Sequence, residues 1–166
     1  MRGESRPAPE SVAGTISRYP ADALKDFMVR VMVTLGASES DAQATASALN
    51  HADLRGVDSH GILRIPEYLQ SIADGEIAPA ARPEVIQETP VSALIQGHWA
   101  LGQATGIYAA DLAISKAKAN HVAVVSVVQA AHTGRLAAFT ERAARQDVVM
   151  FMAIGTVDRP MTAPFG

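Results

Sequence analysis

The densest group of chemically versatile side chains lies in the stretch DLRGVDSHGILR, residues 53–64, which holds two Asp, two Arg, one Ser and one His. His60 titrates near neutrality and can donate or accept a proton. The planar fork of Arg64 can bind a carboxylate through two hydrogen bonds. If the segment is helical, the spacing of four residues places both side chains on one face. A proton donor beside a carboxylate clamp is what chemistry on a 2-oxo or 2-hydroxy acid needs. The plainer alternative is a helix N-cap, a surface histidine and a solvated arginine.

Other classes of chemistry find no support in the sequence. Asp58, Ser59 and His60 are not a hydrolase triad, because adjacent side chains diverge from the backbone, and no G-x-S-x-G elbow is present. The lack of cysteine excludes disulfide scaffolds, thiolate zinc sites and cysteine nucleophiles. The five histidines form no H-E-x-x-H motif and no tight ligand spacing, so we predict no metal site. A net charge of −3 argues against charge-driven binding of nucleic acid.

A second candidate site is the stretch HTGRL, residues 132–136, which follows a Val-rich run and precedes a predicted helix. A turn between a strand and a helix offers backbone N–H groups to anionic ligands, and Gly134 permits a close approach or a positive φ. The alternative is an ordinary turn with a solvated or capping His132. The glycines between residues 97 and 106 do not match G-x-G-x-x-G, and the sequence carries no Rossmann fingerprint.

The elements that precede and follow the first candidate site are predicted to be helical. Apolar residues at spacings of three and four predict a helix over residues 22–35. Ser38, with an aspartate three residues later, resembles a capping box and predicts a second helix that ends near residue 55. Pro66 suits the first turn of a third helix that begins at about Ile65, so the residues before it form a bent turn. Residues 20–78 therefore form a predicted helical part that carries the substrate and catalytic motif.

The pattern changes after about residue 78. Three prolines predict an extended connector over residues 76–90. Apolar runs, two of them rich in Val and expected to be buried, predict strands, and longer patterns between them predict helices, giving strand, helix, strand, helix and strand at 91–96, 101–119, 122–128, 137–146 and 148–154. The predicted fold class is therefore α/β (mixed α+β), with residues 79–166 as the first part of an α/β domain.

The two ends of the sequence differ from the rest. Residues 1–19 mix Arg, Glu, Pro and Ser and predict a flexible leader without the apolar stretch of a secretory signal. No apolar run reaches the roughly 18–20 residues that span a bilayer, so we expect no membrane contact and a cytoplasmic protein. The last predicted strand is followed only by turn-type residues, GTVDRPMTAPFG. We therefore expect the chain to be incomplete at its C-terminus.

Several stretches together resemble the type-2 malate/L-lactate dehydrogenase family. They are ADLRGVDSHGILRIPEYLQ followed by DGEI, then GHWALGQATG, AISKAKANHVAVVSV, AAHTGRLAAF and TAPFG, in this order over roughly residues 22–166. The family includes malate, lactate, sulfolactate and ureidoglycolate dehydrogenases and a reductase of cyclic imino acids. Its members have a dinucleotide-binding fold that is not a Rossmann domain, which agrees with the missing glycine fingerprint.

The resemblance implies a nicotinamide-dependent oxidoreductase that uses NAD or NADP and acts on a small 2-hydroxy or 2-oxo acid. His60 corresponds to the proton donor of the family, Ser59 to a member of its relay, and Arg64 to the group that binds the substrate carboxylate. The cofactor loop corresponds to His132, Thr133, Gly134, Arg135 and Leu136. A cyclic imino acid is the alternative substrate, and a truncated, non-catalytic binding or assembly module is the alternative function. The resemblance also implies a homodimer when the protein is complete.

Overall fold

The computed structural model describes residues 18–155. Most of the predicted leader, residues 1–17, lies outside the described residues, and so does the C-terminal stretch that contains TAPFG. The described elements are five helices, α1 Ala21–Thr34, α2 Glu39–Leu54, α3 Ile65–Ala73, α4 Gly102–Asn120 and α5 Ala137–Ala144, and three strands, β1 Glu84–Glu88, β2 Ser92–Gln96 and β3 Val124–Val128. The mixed α/β class predicted from the sequence is confirmed. No helix within residues 18–155 is long and apolar enough to cross a membrane.

The first three helices follow the sequence signals closely. Ser38 caps α2: its hydroxyl accepts a hydrogen bond from the backbone N–H of Asp41 at 3.2 Å and donates one to the Asp41 carboxylate at 2.6 Å. Pro66 lies in the first turn of α3, where its missing N–H costs no hydrogen bond. Met28 and Met32 of α1 are completely buried in a core that α1, α2, α3 and the start of α4 share. This core fixes the C-terminal end of α2, and with it Asp53 and its neighbours.

The sheet has the order β1-β2-β3, with β1 antiparallel to β2 and β2 parallel to β3. Helix α4 forms the crossover between the two parallel strands and packs against both of them. Ala93 and Ile95 of β2 are buried. Because β2 and β3 are parallel, both strands end at the same edge of the sheet, and the loops after them meet there.

Three sequence predictions about the sheet are wrong. Residues 76–90 are not only a connector, because they contain β1, whose polar composition hid it. β3 is a strand but not a buried one: it lies at the edge of the sheet, with Val124 64% exposed. Residues 148–154 form no strand, and Val149 and Phe151 are almost fully exposed. An apolar run becomes a strand only when a neighbouring strand can pair with it, and within residues 18–155 none does so here.

Candidate active site

The loops that follow β2 and β3 are joined by backbone hydrogen bonds at the carboxyl edge of the parallel strands. The N–H of Gly97 donates to the carbonyl of Val128 at 2.8 Å, and the N–H of Trp99 donates to the carbonyl of Gln129 at 2.7 Å. A side chain on Gly97 would come within 2.6 Å of the Gln129 carbonyl oxygen, so the glycine permits this contact. In open α/β sheets, ligands bind in the crevice at this edge.

The backbone at this edge is strained. His98, Trp99 and Gln129 all adopt positive φ angles, of 52°, 57° and 52°. Non-glycine residues in this region are uncommon, and each costs about 1–3 kcal/mol unless the surrounding contacts compensate. Three of them in two touching loops agree with a ligand-binding function for this edge.

The motif residues 58–64 form a bent turn made of two short 3₁₀ segments, Asp58–His60 and Ile62–Arg64, and not an α-helix. Neither Asp58 nor Ser59 caps a helix with its side chain, so the helix N-cap that the sequence offered as the plainer alternative does not form. The turn is fixed by a different residue. The Asp53 carboxylate accepts a hydrogen bond from the Ile62 N–H at 2.8 Å and lies directly against Gly61.

His60 lies on this turn, and its ring contacts the side chain of the preceding Ser59. The hydroxyl of Ser59 and Nδ1 of His60 lie 2.9 Å apart, within hydrogen-bond distance. Partial burial, and secondly the charge of Arg64, lower the pKa of His60 below 6.5. His60 is therefore largely neutral at pH 7 in the free protein, and a nearby anion that offsets the charge of Arg64 raises its pKa again.

Arg64 is oriented by the same turn. Its Nε donates a hydrogen bond to the backbone carbonyl of Ser59 at 2.6 Å, and its Nη1 forms an ion pair with Glu67 one turn further along α3. The Arg64 side chain is 21% exposed, whereas that of Glu67 is 52% exposed. The guanidinium is thus held in place while its counter-ion stays at the surface, where an incoming carboxylate can compete with it.

The second predicted site lies next to the first. The rings of His60 and His132 are 5.3 Å apart between centroids and are tilted by 38°. The hydroxyl of Tyr68 lies 2.8 Å from Nδ1 of His132, and the amide of Gln103 donates to the same hydroxyl at 2.6 Å. Burial lowers the pKa of His132 to about 4 and raises that of Tyr68 to about 12. Two motifs that are far apart in sequence therefore converge on one place.

The loop that carries His132 approaches the start of α4 unusually closely. A side chain on Gly102 would lie 2.2 Å from the carbonyl oxygen of Ala131 and 2.3 Å from that of His132, so only glycine fits. Gly134 adopts a φ of +79°, which confirms the positive φ considered for it. Thr133 and Leu136 are half-buried in the same loop.

Arg135 points away from the two histidines. Its guanidinium donates to the Glu141 carboxylate at 3.0 Å and lies 3.4 Å from Nδ1 of His51 on α2. The hydrogen bond from Arg135 is the main cause that lowers the pKa of Glu141. In this structure Arg135 therefore ties α5 to α2, while the backbone of its loop forms the site.

Three residues of the site were not singled out by sequence reasoning: Asp53, Tyr68 and Gln103. Tyr68 and Gln103 lie at core positions of helices, where a polar side chain is usually satisfied by packing neighbours. The sequence signal that could have found them is a polar side chain at a helix position whose spacing predicts burial, because such a side chain needs a hydrogen-bond partner. Within residues 18–155, no group of three or more acidic or histidine side chains is placed to hold a metal ion.

Comparison with known proteins shows what this chain is similar to. The sequence pattern of a family described as malate/L-lactate dehydrogenase matches residues 19–166. Two curated relatives are 38% identical to the chain, a malate dehydrogenase of Pyrococcus abyssi over 90% of the chain and an L-sulfolactate dehydrogenase of Methanocaldococcus jannaschii over 86%. The chain spans about 41% of the length of these relatives.

Solved structures of enzymes also resemble the fold of this chain. A malate dehydrogenase from Pyrococcus horikoshii is 39% identical, with a TM-score of 0.76 over 78% of this chain and 37% of the other. A delta1-piperideine-2-carboxylate reductase from Pseudomonas syringae is 29% identical, with a TM-score of 0.72 over 79% of this chain and 40% of the other.

Proposed function

Because this chain belongs to the malate/L-lactate dehydrogenase family, we propose that the protein transfers a hydride between a nicotinamide cofactor, NAD or NADP, and a small 2-hydroxy or 2-oxo acid. The observation that carries the proposal is the convergence of His60 and His132, 5.3 Å apart, beside Arg64. One motif supplies a proton donor and a carboxylate clamp, and the other supplies a loop at the carboxyl edge of parallel strands, where cofactors bind.

The loop over residues 132–136 fits a dinucleotide through its backbone. Within residues 18–155, the N–H groups of Thr133 and Gly134 donate no hydrogen bond, and they lie in the loop that leads into α5. Backbone donors at such a position bind phosphate and other polar groups without a glycine fingerprint. When bound, the cofactor supplies or accepts the hydride at C2 of the substrate.

The roles of the side chains follow from their contacts. We expect Arg64 to bind the substrate carboxylate through its two-pronged guanidinium and so to fix the orientation of C2. We expect His60 to protonate the C2 oxygen as that oxygen gains negative charge. Ser59, which is hydrogen-bonded to Nδ1 of His60, orients the ring.

Substrate binding also prepares the proton donor. Partial burial, and secondly the charge of Arg64, lower the pKa of His60 in the free protein. A substrate carboxylate that neutralises the charge of Arg64 removes the second cause and so favours the protonated form that reduction needs. In the opposite direction, neutral His60 is the base that accepts the proton of the hydroxyl group.

The proposal extends to the whole protein, which we expect to be a homodimer, as the family resemblance implies, and to be cytoplasmic. Light scattering on the purified full-length protein measures the oligomeric state. A cyclic imino acid is the second candidate substrate, since the reductase from Pseudomonas syringae shares the fold over 79% of this chain.

The experiment is a spectrophotometric screen of the full-length protein with NADH and NADPH against 2-oxo acids and cyclic imino acids. We expect oxidation of at least one reduced cofactor that depends on a 2-oxo acid such as oxaloacetate or pyruvate. Turnover of imines alone would shift the proposal to imine reduction. No turnover of any substrate by a folded, cofactor-binding protein would contradict it.

A further inference from the structure

We propose that Gln103 and Tyr68 are positioning residues that hold His132 as a hydrogen-bond donor through Nε2, leaving His60 as the only histidine of the pair that transfers a proton. The inference rests on the proposed function and adds two residues to it. It depends on the direction of a hydrogen-bond chain that joins three elements: α4, α3 and the loop before α5.

The chain is short, and its Gln103 end is shielded from water. Nε2 of Gln103 lies 2.6 Å from the hydroxyl of Tyr68, which lies 2.8 Å from Nδ1 of His132. Gln103 is completely buried and Tyr68 is 2% exposed. Gly134 packs over the same amide, since a side chain there would lie 3.4 Å from Nε2 of Gln103. The hydrogen bond at Gln103 is buried and the one at His132 is partly buried, and short hydrogen bonds in such surroundings fix the orientation of their members.

The direction of the chain follows from the amide of Gln103. With its nitrogen toward Tyr68, the buried atom without a partner is the carbonyl oxygen Oε1. The opposite orientation would place the carbonyl oxygen against the hydroxyl of Tyr68, which would then have to donate to Gln103 instead of accepting from it. In the orientation that the structure shows, the chain runs from Gln103 through Tyr68 to His132.

The proton of Tyr68 then has one destination. The hydroxyl oxygen accepts from Gln103, and its single hydrogen donates to Nδ1 of His132. Because Nδ1 is the acceptor, the ring proton of neutral His132 sits on Nε2. His132 thus offers one N–H donor to a ligand at the site.

The surroundings keep His132 neutral and keep the chain in this direction at physiological pH. Burial is the main cause that lowers the pKa of His132 to about 4, and the charges of Arg64 and His60 add to it, whereas Glu67 opposes it. Tyr68, with a pKa of about 12, retains its proton. Two imidazoles 5.3 Å apart would otherwise compete for one proton. Burial of His132 disfavours its protonated form and so removes that competition.

The first test is the protonation pattern of the His132 ring, measured by ¹⁵N NMR on full-length protein labelled at histidine. A His132→Asn variant assigns the resonances. At pH 7 we expect Nδ1 in the unprotonated range and Nε2 in the protonated range. Protonated Nδ1 overturns the proposal. This measurement does not require turnover, so it decides the proposal even if the dehydrogenase activity is not found.

The second test compares Tyr68→Phe with Tyr108→Phe, the same change at a 42% exposed tyrosine of α4. Tyr68→Phe removes both hydrogen bonds of the hydroxyl, to Gln103 and to His132, and we expect the Nε2 preference of His132 to be lost and kcat/KM to fall roughly tenfold. Tyr108→Phe should change neither quantity. A ring protonation pattern of His132 that is unchanged in Tyr68→Phe refutes the role of the chain.

Discussion

The contact between Asp53 and Gly61 gives the most specific prediction about how the turn that carries His60 is held in place. In Gly61→Ala, the new methyl group would sit 1.6 Å from Oδ1 and 2.2 Å from Cγ of Asp53. The φ of Gly61, −98°, lies outside the left-handed region that favours glycine, so the main obstacle to alanine is the lack of space beside Asp53. The carboxylate must therefore swing away and give up its hydrogen bond to the Ile62 N–H.

The size of the effect follows from that hydrogen bond. A hydrogen bond to a charged group contributes about 1.5–3 kcal/mol, so we expect Gly61→Ala to lower the free energy of unfolding by about 2 kcal/mol. Asp53→Ala removes the same hydrogen bond and should cost about the same. In the double variant the methyl group meets no carboxylate, so its cost should stay near that of either single variant.

The assay is urea unfolding of the full-length protein for wild type, both single variants and the double variant. The displaced turn carries His60, so kcat/KM should also fall on the order of tenfold to a hundredfold in Gly61→Ala. Gly75→Ala is the control: its φ of +76° makes alanine strained, by about 1 kcal/mol, but the site has open space and lies away from the histidines. Costs of the two single variants that simply add in the double variant would refute the reasoning.

Three further predictions concern the charges of the site. Arg64→Lys keeps the charge but loses the fork, so KM for the 2-oxo acid should rise about tenfold while the dissociation constant of the cofactor, measured by fluorescence, stays the same; weaker cofactor binding would assign Arg64 to a phosphate site instead. Glu67→Gln removes the half-exposed ion-pair partner of Arg64 and should lower KM for the same acid by up to about fivefold in steady-state kinetics, whereas a raised KM would contradict competition for Arg64. In the proposed mechanism, oxidation of the 2-hydroxy acid needs neutral His60, so the kcat/KM of the oxidation should rise with pH through a pKa below 6.5 and level off near neutrality, and an inflection above 6.5 in the pH–rate profile would contradict this.

The helical elements were predictable because their signals are local. The Ser38 cap, the position of Pro66 and the spacing of apolar residues in α1 each depend on a few neighbouring residues. The strands depended on distant partners. The polar strand β1 forms because β2 lies beside it, while the apolar residues 148–154 stay unpaired within the described part of the chain.

The site divides in the same way. His60 and His132 could be singled out by residue type and motif, but their proximity comes from the packing of α4 against the loop of His132, which Gly102 permits. Tyr68 and Gln103 look like ordinary core positions of amphipathic helices, and only the fold shows that their polar atoms meet. The bent shape of residues 58–64 likewise depends on Asp53, a residue of the preceding helix.

The measurement that tests the central claim most directly is single-turnover hydride transfer by the full-length protein, wild type against His60→Ala, followed by the absorbance of the reduced nicotinamide. His60 lies on a surface turn and is only partly buried, so the variant should unfold at nearly the wild-type temperature. We predict that the rate of reduction of the 2-oxo acid falls by about 10²- to 10⁴-fold, the usual contribution of a general acid. A rate close to that of the wild type would contradict the assignment of His60 as the proton donor.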